Sequence, residues 1–455
     1  MRQSTAARKV EATNTLLELA YWTAFVLSFG FLCFVCGFVT TTLETFPYPI
    51  LRNSFMGLQA MRESMTTKTM FESDRVVPVT WKASGVTRYD SSHAYNGYTL
   101  FATGFAETAY LVDMHGRLVH EWHLPFSKVW NSSASVRNPP PEAAIHWRNA
   151  FLYPNGDLLA VYIAQDQSPW GQGLVKMDRD SKPIWSYLEQ IHHEVSVGPD
   201  GRVYALSHTI RTGSIPELPD ILAPSLEDFI VVLSPDGKLL KRVSLYDAFA
   251  RSRFRGVTSI LRSSIRGDTM HTNAVYPLPE VFLKEFPFAT VNTVLVSCRN
   301  LDALMMVDLD SERVTWVMRG PWVRQHDPEP LPNGNILLFD NVGDLARGGR
   351  SRVLEFEPNP LKIVWEFPGG ANEDLWSSIG SAVQKLPNGN VLITERDNAR
   401  LLEVTPDKKV VWEYRNPLQE SDPSKRQYVG VMELGRRFAK SELAFDFNKT
   451  PEIEN

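Results

Sequence analysis

The chain repeats itself, and the repeat limits what it can fold into. Each unit has a Pro-Asn/Asp-Gly turn, an apolar strand, a middle segment, a Leu/Val-rich strand ending in an acid, a second turn and a strand closing in Trp. One copy runs from "YPNGDLLAVY" at Tyr153 to "LVKMDRDSKPIWSY" at Tyr187, the next from "HHEVSVGPDGRVYAL" at His192 to "FIVVLSPDGKLLKRVSL" at Leu245. A third begins "MHTNAVYPLPE" at Met270, with an expanded first turn, and ends "LMMVDLDSERVTWVM" at Met318. The fourth opens on "QHDPEPLPNGNILLFDN" at Gln325 and closes with "RVLEFEPNPLKIVWEF" at Phe367; the fifth spans Ser381 to Tyr414. Upstream, "NGYTLFATGFAETAYLVDMHGRLVHEW" from Asn96 to Trp122 follows the same grammar without its leading strand.

Units of roughly 40 to 50 residues with four strands each describe blades of a β-propeller, in which radial repetition hides sheet edges around a central channel. Six units predict an all-β, six-bladed propeller over 96–416. A two-sheet sandwich is the competing all-β fold, but it carries no such repeated turn-strand-turn-Trp pattern. The residues 417–455 lack the repeat and are expected to form an extension that wraps the outside of the body.

From Leu19 to Thr40 the chain reads "LAYWTAFVLSFGFLCFVCGFVT", 22 residues without a charge, and a helix needs about 20 apolar residues to cross a bilayer. A transmembrane anchor is therefore expected over 19–40, with 1–18 as a cytoplasmic N-terminus and 41–95 as a juxtamembrane linker. Arg2, Arg8 and Lys9 precede the span and Glu44 follows it, so the positive-inside bias places the body outside the cytoplasm, for instance in a periplasm. A cleaved signal peptide is the alternative, but the apolar run is too long for one and no small-x-small cleavage site follows. The stretch from Thr45 to Met65 suits a membrane interface or a partner helix. Cys33 and Cys36 lie inside the apolar run and Cys298 has no obvious mate, so no disulfide framework is expected. A formal net charge of -5 without a basic stripe argues against nucleic acid as a partner.

One position in the unit carries chemistry. His193, His271 and His326 each stand six residues before the Pro of a first turn, at Pro199, Pro277 and Pro332. Ser381 fills that slot in the fifth unit; Arg148 fills it in the second, with His146 two residues earlier. The start of an innermost strand faces a propeller's channel, so these residues converge although far apart in sequence. Any one histidine could merely close a turn; three in register point to a site. Converging imidazoles suit a metal such as zinc, or a nucleophile with acid-base partners. Asn273 lies two residues beyond His271, on the same face of a strand, and offers an amide donor. Arg299 and Arg396 occupy equivalent points of their units, nine residues before Asp308 and Thr405. Guanidinium groups repel a divalent cation but hold a tetrahedral oxyanion, so an anion site is the better reading and no metal is assigned. Asp327, beside His326, reads as a structural neighbour.

These residues resemble a family, the PAPS-independent arylsulfate sulfotransferases. "HHEV" at His192, "MHTN" at Met270, "SCRN" at Ser297 and "RQHDPEPLPNGNILLFDN" at Arg324 look like its successive motifs, closest to those of membrane-anchored bacterial members. The resemblance covers most of Asn96 to Tyr414. It implies that His326 takes the sulfuryl group from a phenolic sulfate ester, forming a sulfohistidine, and passes it to an acceptor phenol. His271, Asn273 and Arg299 would hold the sulfuryl oxygens and His193 would assist proton transfer, with Arg396, Arg324 and Asn341 as substrate-binding positions. It implies no cofactor. The chain departs from soluble members in lacking their disulfide near the site and room for their extra N-terminal β-domain. Two other functions compete: an anchored propeller that binds an anionic ligand or docks onto a membrane protein complex, and a metal-dependent hydrolase or lyase, which the arginines disfavour.

Overall fold

The computed structural model describes residues 2–43, 45–48, 50–51, 69–132, 134–164, 169–263, 267–370 and 373–444. The chain divides into two compact units, Met1–Thr67 and Lys68–Asn455. The first holds the α-helix Arg2–Thr42, whose part from Leu17 to Thr42 is long and apolar enough to cross a membrane, a test a signal sequence also passes. Three of its threonines, Thr23, Thr40 and Thr41, bond to carbonyls of the helix itself. The hydroxyls of Thr23 and Thr41 donate to the carbonyls of Leu19 and Gly37, both at 2.7 Å, as an apolar surrounding demands. Cys33 and Cys36 are free thiols on this helix and Cys298 is free and buried in the second unit. Most of the interfacial stretch expected over Thr45 to Met65, from Arg52 onward, lies outside the described residues.

The second unit is a six-bladed β-propeller. Five of its sheets have four strands and the sixth has five. Blades two to five each come from one continuous stretch, with innermost strands Ile145–Leu152, Ile191–Val197, Thr272–Pro277 and His326–Pro330. The first and sixth blades are composite. In the first, Tyr98–Thr103, Thr108–Val112 and Leu118–His123 pair with a strand from the far end of the chain, Met432–Phe438, which takes the innermost place. In the sixth, the four strands from Ala382 to Arg415 gain an outer fifth, Gly85–Tyr89. Neighbouring innermost strands touch all the way round, and Met432–Phe438 contacts both Ala382–Lys385 and Ile145–Leu152. The tail therefore does not simply wrap the outside. It supplies the leading strand that the first repeat lacks, and the expected range 96–416 leaves out both that strand and the outer strand Gly85–Tyr89.

The repeated motifs have physical causes. In each Pro-Asn/Asp-Gly turn the glycine takes positive φ, 91° at Gly156, 79° at Gly201, 88° at Gly334 and 87° at Gly389. Its N–H donates to the carbonyl three residues back, at 2.9 to 3.0 Å, a conformation only glycine adopts cheaply. The closing tryptophans tie blades together. Trp122 donates its indole N–H to the Gly156 carbonyl, Trp185 to Pro235, Trp365 to Pro406 and Trp412 to Met114, at 2.9 to 3.1 Å. Each bond runs from one blade to a turn of the next.

Ring closure is fastened by charge. Arg437 is buried within the first blade; it donates to Thr99 Oγ1 at 2.7 Å, the Tyr95 carbonyl at 2.6 Å and Glu403 Oε2 of the sixth blade at 3.1 Å. Arg436 reaches across to the Val383 carbonyl at 2.6 Å and to Asp327 Oδ2 at 3.0 Å.

Candidate functional site

The innermost strands are bulged where they pass the channel mouth. Pairing slips between Trp147 and Asn149, His192 and Val195, Thr272 and Ala274, and His326 and Glu329. Left-handed backbone follows the same ring, with φ of 56° at His193, 50° at His271, 49° at Asp327 and 84° at Ser381. For residues other than glycine this costs about 1 kcal/mol or more each, and such strain concentrates at functional sites. A bulge re-aims a side chain that a regular strand would turn away. Here it aims the register position inward. Arg148, His193, His271 and His326 all line one cavity of about 240 Å3, with Arg299, Arg396, Glu433, His146 and Trp170. Ser381 borders a smaller chamber, also lined by Asn273 and Asp327.

The tautomer of His326 follows from its partners. Its Nδ1 lies 2.7 Å from Asn341 Oδ1 and 3.0 Å from the Arg324 carbonyl. Asn341 spends its amide N–H groups on the carbonyls of Ser377 and Gly380, at 2.9 and 3.0 Å, so its oxygen is the atom facing the ring. Two acceptors at Nδ1 place the proton there and leave the lone pair on Nε2, which the Gly380 N–H approaches at 3.3 Å. Burial, then the charges of Arg299 and Arg148, push the imidazole pKa well below its ordinary value. The ring is neutral at physiological pH.

His193 is held differently. Its Nδ1 meets Nδ1 of His192 at 2.8 Å, and burial followed by the neighbouring imidazoles of His271 and His192 keeps it well below the ordinary value. His271 has a carboxylate partner: its Nδ1 forms a short bond to Asp268 Oδ2. Trp170 packs on both, with ring centroids 6.1 Å from His193 and 5.4 Å from His271. With Ile163, Ala164 and Ile379 it gives the cavity an apolar wall.

The arginines diverge. Arg299 donates to Asn300 Oδ1 at 3.1 Å, and among the described residues its buried Nε has no partner. Burial and the adjacent Arg324 charge lower its pKa. Arg396, expected to hold an anion, is already paired: it contacts Glu433 Oε1 at 3.1 Å, Asp397 Oδ1 at 3.1 Å and Asp74 Oδ2 at 3.9 Å. Arg148 closes on the same Glu433 carboxylate, whose pKa is pulled well down by these two guanidinium groups despite its burial.

Three expected roles shift with these contacts. The Asn273 amide N–H goes to the Gln325 carbonyl at 2.8 Å, and its oxygen is the atom without a partner among the described residues. Arg324 is exposed and does not line the cavity. Asn341 orients His326 rather than facing the cavity. Asp327 is structural, as its position suggested, accepting from the Val383 N–H at 2.7 Å and from Arg436. Sequence reasoning missed Asp268, Trp170 and Glu433. Asp268 sits three residues before His271, a spacing that could have drawn attention. Glu433 lies in the tail, outside the repeat that located everything else.

One group of potential metal ligands occurs among the described residues, the buried His192, His208 and Asp228. Its candidate ligand atoms all lie within 4.8 Å of one another, and the two imidazoles have centroids 4.3 Å apart with planes tilted by 30°.

A family model described as Arylsulfotransferase (ASST) matches residues 152–417. This is more than half of the chain, and it contains all three histidines in register. The chain belongs to the arylsulfotransferase family, a family of transferases. A search of curated proteins finds no match. Solved structures with similar folds include a protein of unknown function from Bacteroides caccae, 12% identical over 71% of this chain and 94% of its own, with a TM-score of 0.45. A streptogramin B lyase is 10% identical over 79% of this chain and 95% of its own, TM-score 0.40. The virginiamycin B lyase of Staphylococcus aureus is 10% identical over 79% and 98%, TM-score 0.38. At these scores the likenesses add nothing to the sheet topology described above.

Proposed function

We propose that the cavity moves a sulfuryl group from a phenolic sulfate ester to a phenolic acceptor in two steps, through a sulfohistidine at His326. The observation that carries this reading is the paired acceptors at Nδ1, which leave the lone pair on Nε2 in a cavity beside Arg299, with the Gly380 N–H 3.3 Å away. A neutral imidazole is a competent nucleophile. Attack by Nε2 on sulfur forms the N–S bond, breaks the S–O bond to the aryl group and spreads charge over the sulfuryl oxygens. Arg299, whose buried Nε has no partner among the described residues, is a fixed donor for those oxygens, a form of stabilisation that costs no reorganisation. The wall of Trp170, Ile163 and Ile379 suits the aryl ring. In the second step the acceptor oxygen takes the sulfuryl group and returns the electron pair to Nε2. Orientation with the N-terminus in the cytoplasm and the propeller outside follows from the Arg2, Arg8 and Lys9 bias and belongs to the same proposal.

Turnover of p-nitrophenyl sulfate with a phenol acceptor tests the reading. Nitrophenol release by the full chain and its loss in His326→Ala are expected. Release that survives the substitution removes His326 as nucleophile, and no release with any aryl sulfate favours an anion-binding propeller.

A further inference from the structure

The reading above leaves open which group moves the proton. Departure of a phenolate calls for an acid, and use of a phenol calls for a base. His193 is the position that the family resemblance assigns to this work, yet its Nδ1 meets another imidazole, and among the described residues no carboxylate contacts it. His146 lies 3.4 Å from Glu433, but that carboxylate is already held by Arg148 and Arg396.

His271 is the histidine in register whose Nδ1 meets a carboxylate directly, that of Asp268. The segment carrying the pair is fixed. Asn300 Nδ2 donates to the Asp268 carbonyl at 2.9 Å, and the N–H groups of Arg299 and Asn300 donate to the carbonyls of His271 and Met270, at 3.2 and 3.1 Å. With Nδ1 bound to the carboxylate, Nε2 remains for the cavity that His271 lines. We propose that Asp268 and His271 form the proton-transfer dyad of this site, with Asp268 as the positioning residue and His271, in place of His193, as acid and base; this rests on the sulfuryl-transfer reading.

Atoms balance in both halves. When the S–O(aryl) bond breaks, the aryl oxygen takes the proton from Nε2 of the His271 imidazolium, whose Nδ1–H stays in place, donating to Asp268. In the return step the acceptor phenol gives its proton to His271 Nε2 as its oxygen bonds to sulfur and the N–S bond to His326 breaks. A carboxylate at Nδ1 supports the imidazolium that enters the first step and is restored by the second. The groups facing the dyad are Arg299 and Asp228 around Asp268, and the imidazoles of His192, His193, His208 and His326 around His271. His193 is pushed well below its ordinary pKa, mainly by burial, and so is poorly suited to carry the proton.

The test compares a donor with a good leaving group, p-nitrophenyl sulfate, with one that needs an acid, phenyl sulfate, in the full chain and its Asp268→Asn, His271→Gln and His193→Gln variants. Asn can still accept the Nδ1 hydrogen bond, so Asp268→Asn removes charge while keeping position. Asp268→Asn is expected to slow phenyl sulfate about 100-fold and p-nitrophenyl sulfate less than about tenfold, while His193→Gln slows both donors by one common factor. Equal slowing of both donors in Asp268→Asn, or donor dependence that follows His193→Gln, overturns the proposal. A second readout is independent of turnover: a low-field imidazole N–H resonance from isotope-labelled histidine. It should persist in wild type and His193→Gln and vanish in His271→Gln and Asp268→Asn; its absence from wild type overturns the dyad. Wild type that turns over neither donor while showing the resonance means that the sulfuryl reading has failed and the dyad stands.

Discussion

Arg299 and Arg396 occupy the same point of two repeats, and both reach the same cavity, yet they arrive in opposite electrical states. Arg396 meets three carboxylates, those of Glu433, Asp397 and Asp74, and their charges raise its pKa against burial. Arg299 bonds a neutral amide, and the charge of neighbouring Arg324 acts on it more strongly than that of Asp268 or of Asp302. The fold thus neutralises one flank of the cavity with Glu433, brought in by the closing strand, and leaves the other flank hungry for an anion. Equivalent position in a repeat does not give equivalent chemistry; the partners decide.

Substitution on each flank should break the comparison in a different way. Arg299→Ala should lower kcat/KM for an aryl sulfate about 100- to 1,000-fold, the effect of losing one preorganised oxyanion donor, with the melting temperature little changed. Arg396→Met should instead appear in denaturant unfolding as a loss of about 3 kcal/mol, because the buried Glu433 carboxylate keeps one cation in place of two. An Arg396→Met protein of normal stability and abolished activity would reverse the two roles.

Acid should probe the neutralised flank next. Glu433 has its pKa depressed in the folded protein, so its stabilisation is present above the ordinary carboxylate value and is lost as pH falls below it. His146 is depressed from 6.5 to about 4 by burial. An imidazole held neutral in the fold contributes stability above pH 6.5 that is lost as pH falls from there towards 4. Both groups act in one direction, each tilting the curve of unfolding free energy downward on acidification. Glu433→Gln should flatten the most acid part of that curve and leave the part nearer neutrality. The smallest effect belongs to a blade tie: Trp365→Phe removes one indole N–H bond to Pro406 and should cost about 1 kcal/mol.

Much of this was legible in the sequence because it is local. The Pro-Asn-Gly turns need glycine at positive φ, the closing tryptophans mark blade edges, and a fixed spacing to the turn brought Arg148, His193, His271 and His326 to one mouth. The closing strand was not legible. "MELGRRF" over Met432–Phe438 carries no turn signal, and its place is set by pairing with Tyr98–Thr103 across nearly the whole propeller, a contact that no local pattern encodes. Glu433 was missed for that reason, and so the ion pairing of Arg396 was missed with it. The roles of Asn273 and Asn341 were misjudged because an amide's useful atom depends on where its other atom bonds.

The central claim is that His326 Nε2 forms a covalent bond to sulfur. The direct measurement is to mix the full chain with p-nitrophenyl sulfate in the absence of acceptor, quench in alkali and locate the modified residue by peptide mass spectrometry. A burst of about one nitrophenol per chain is predicted, with one sulfuryl group on the peptide holding His326 and neither burst nor adduct in His326→Ala. A burst that persists in His326→Ala, or an adduct on His193 or His271 in the wild type, would contradict it.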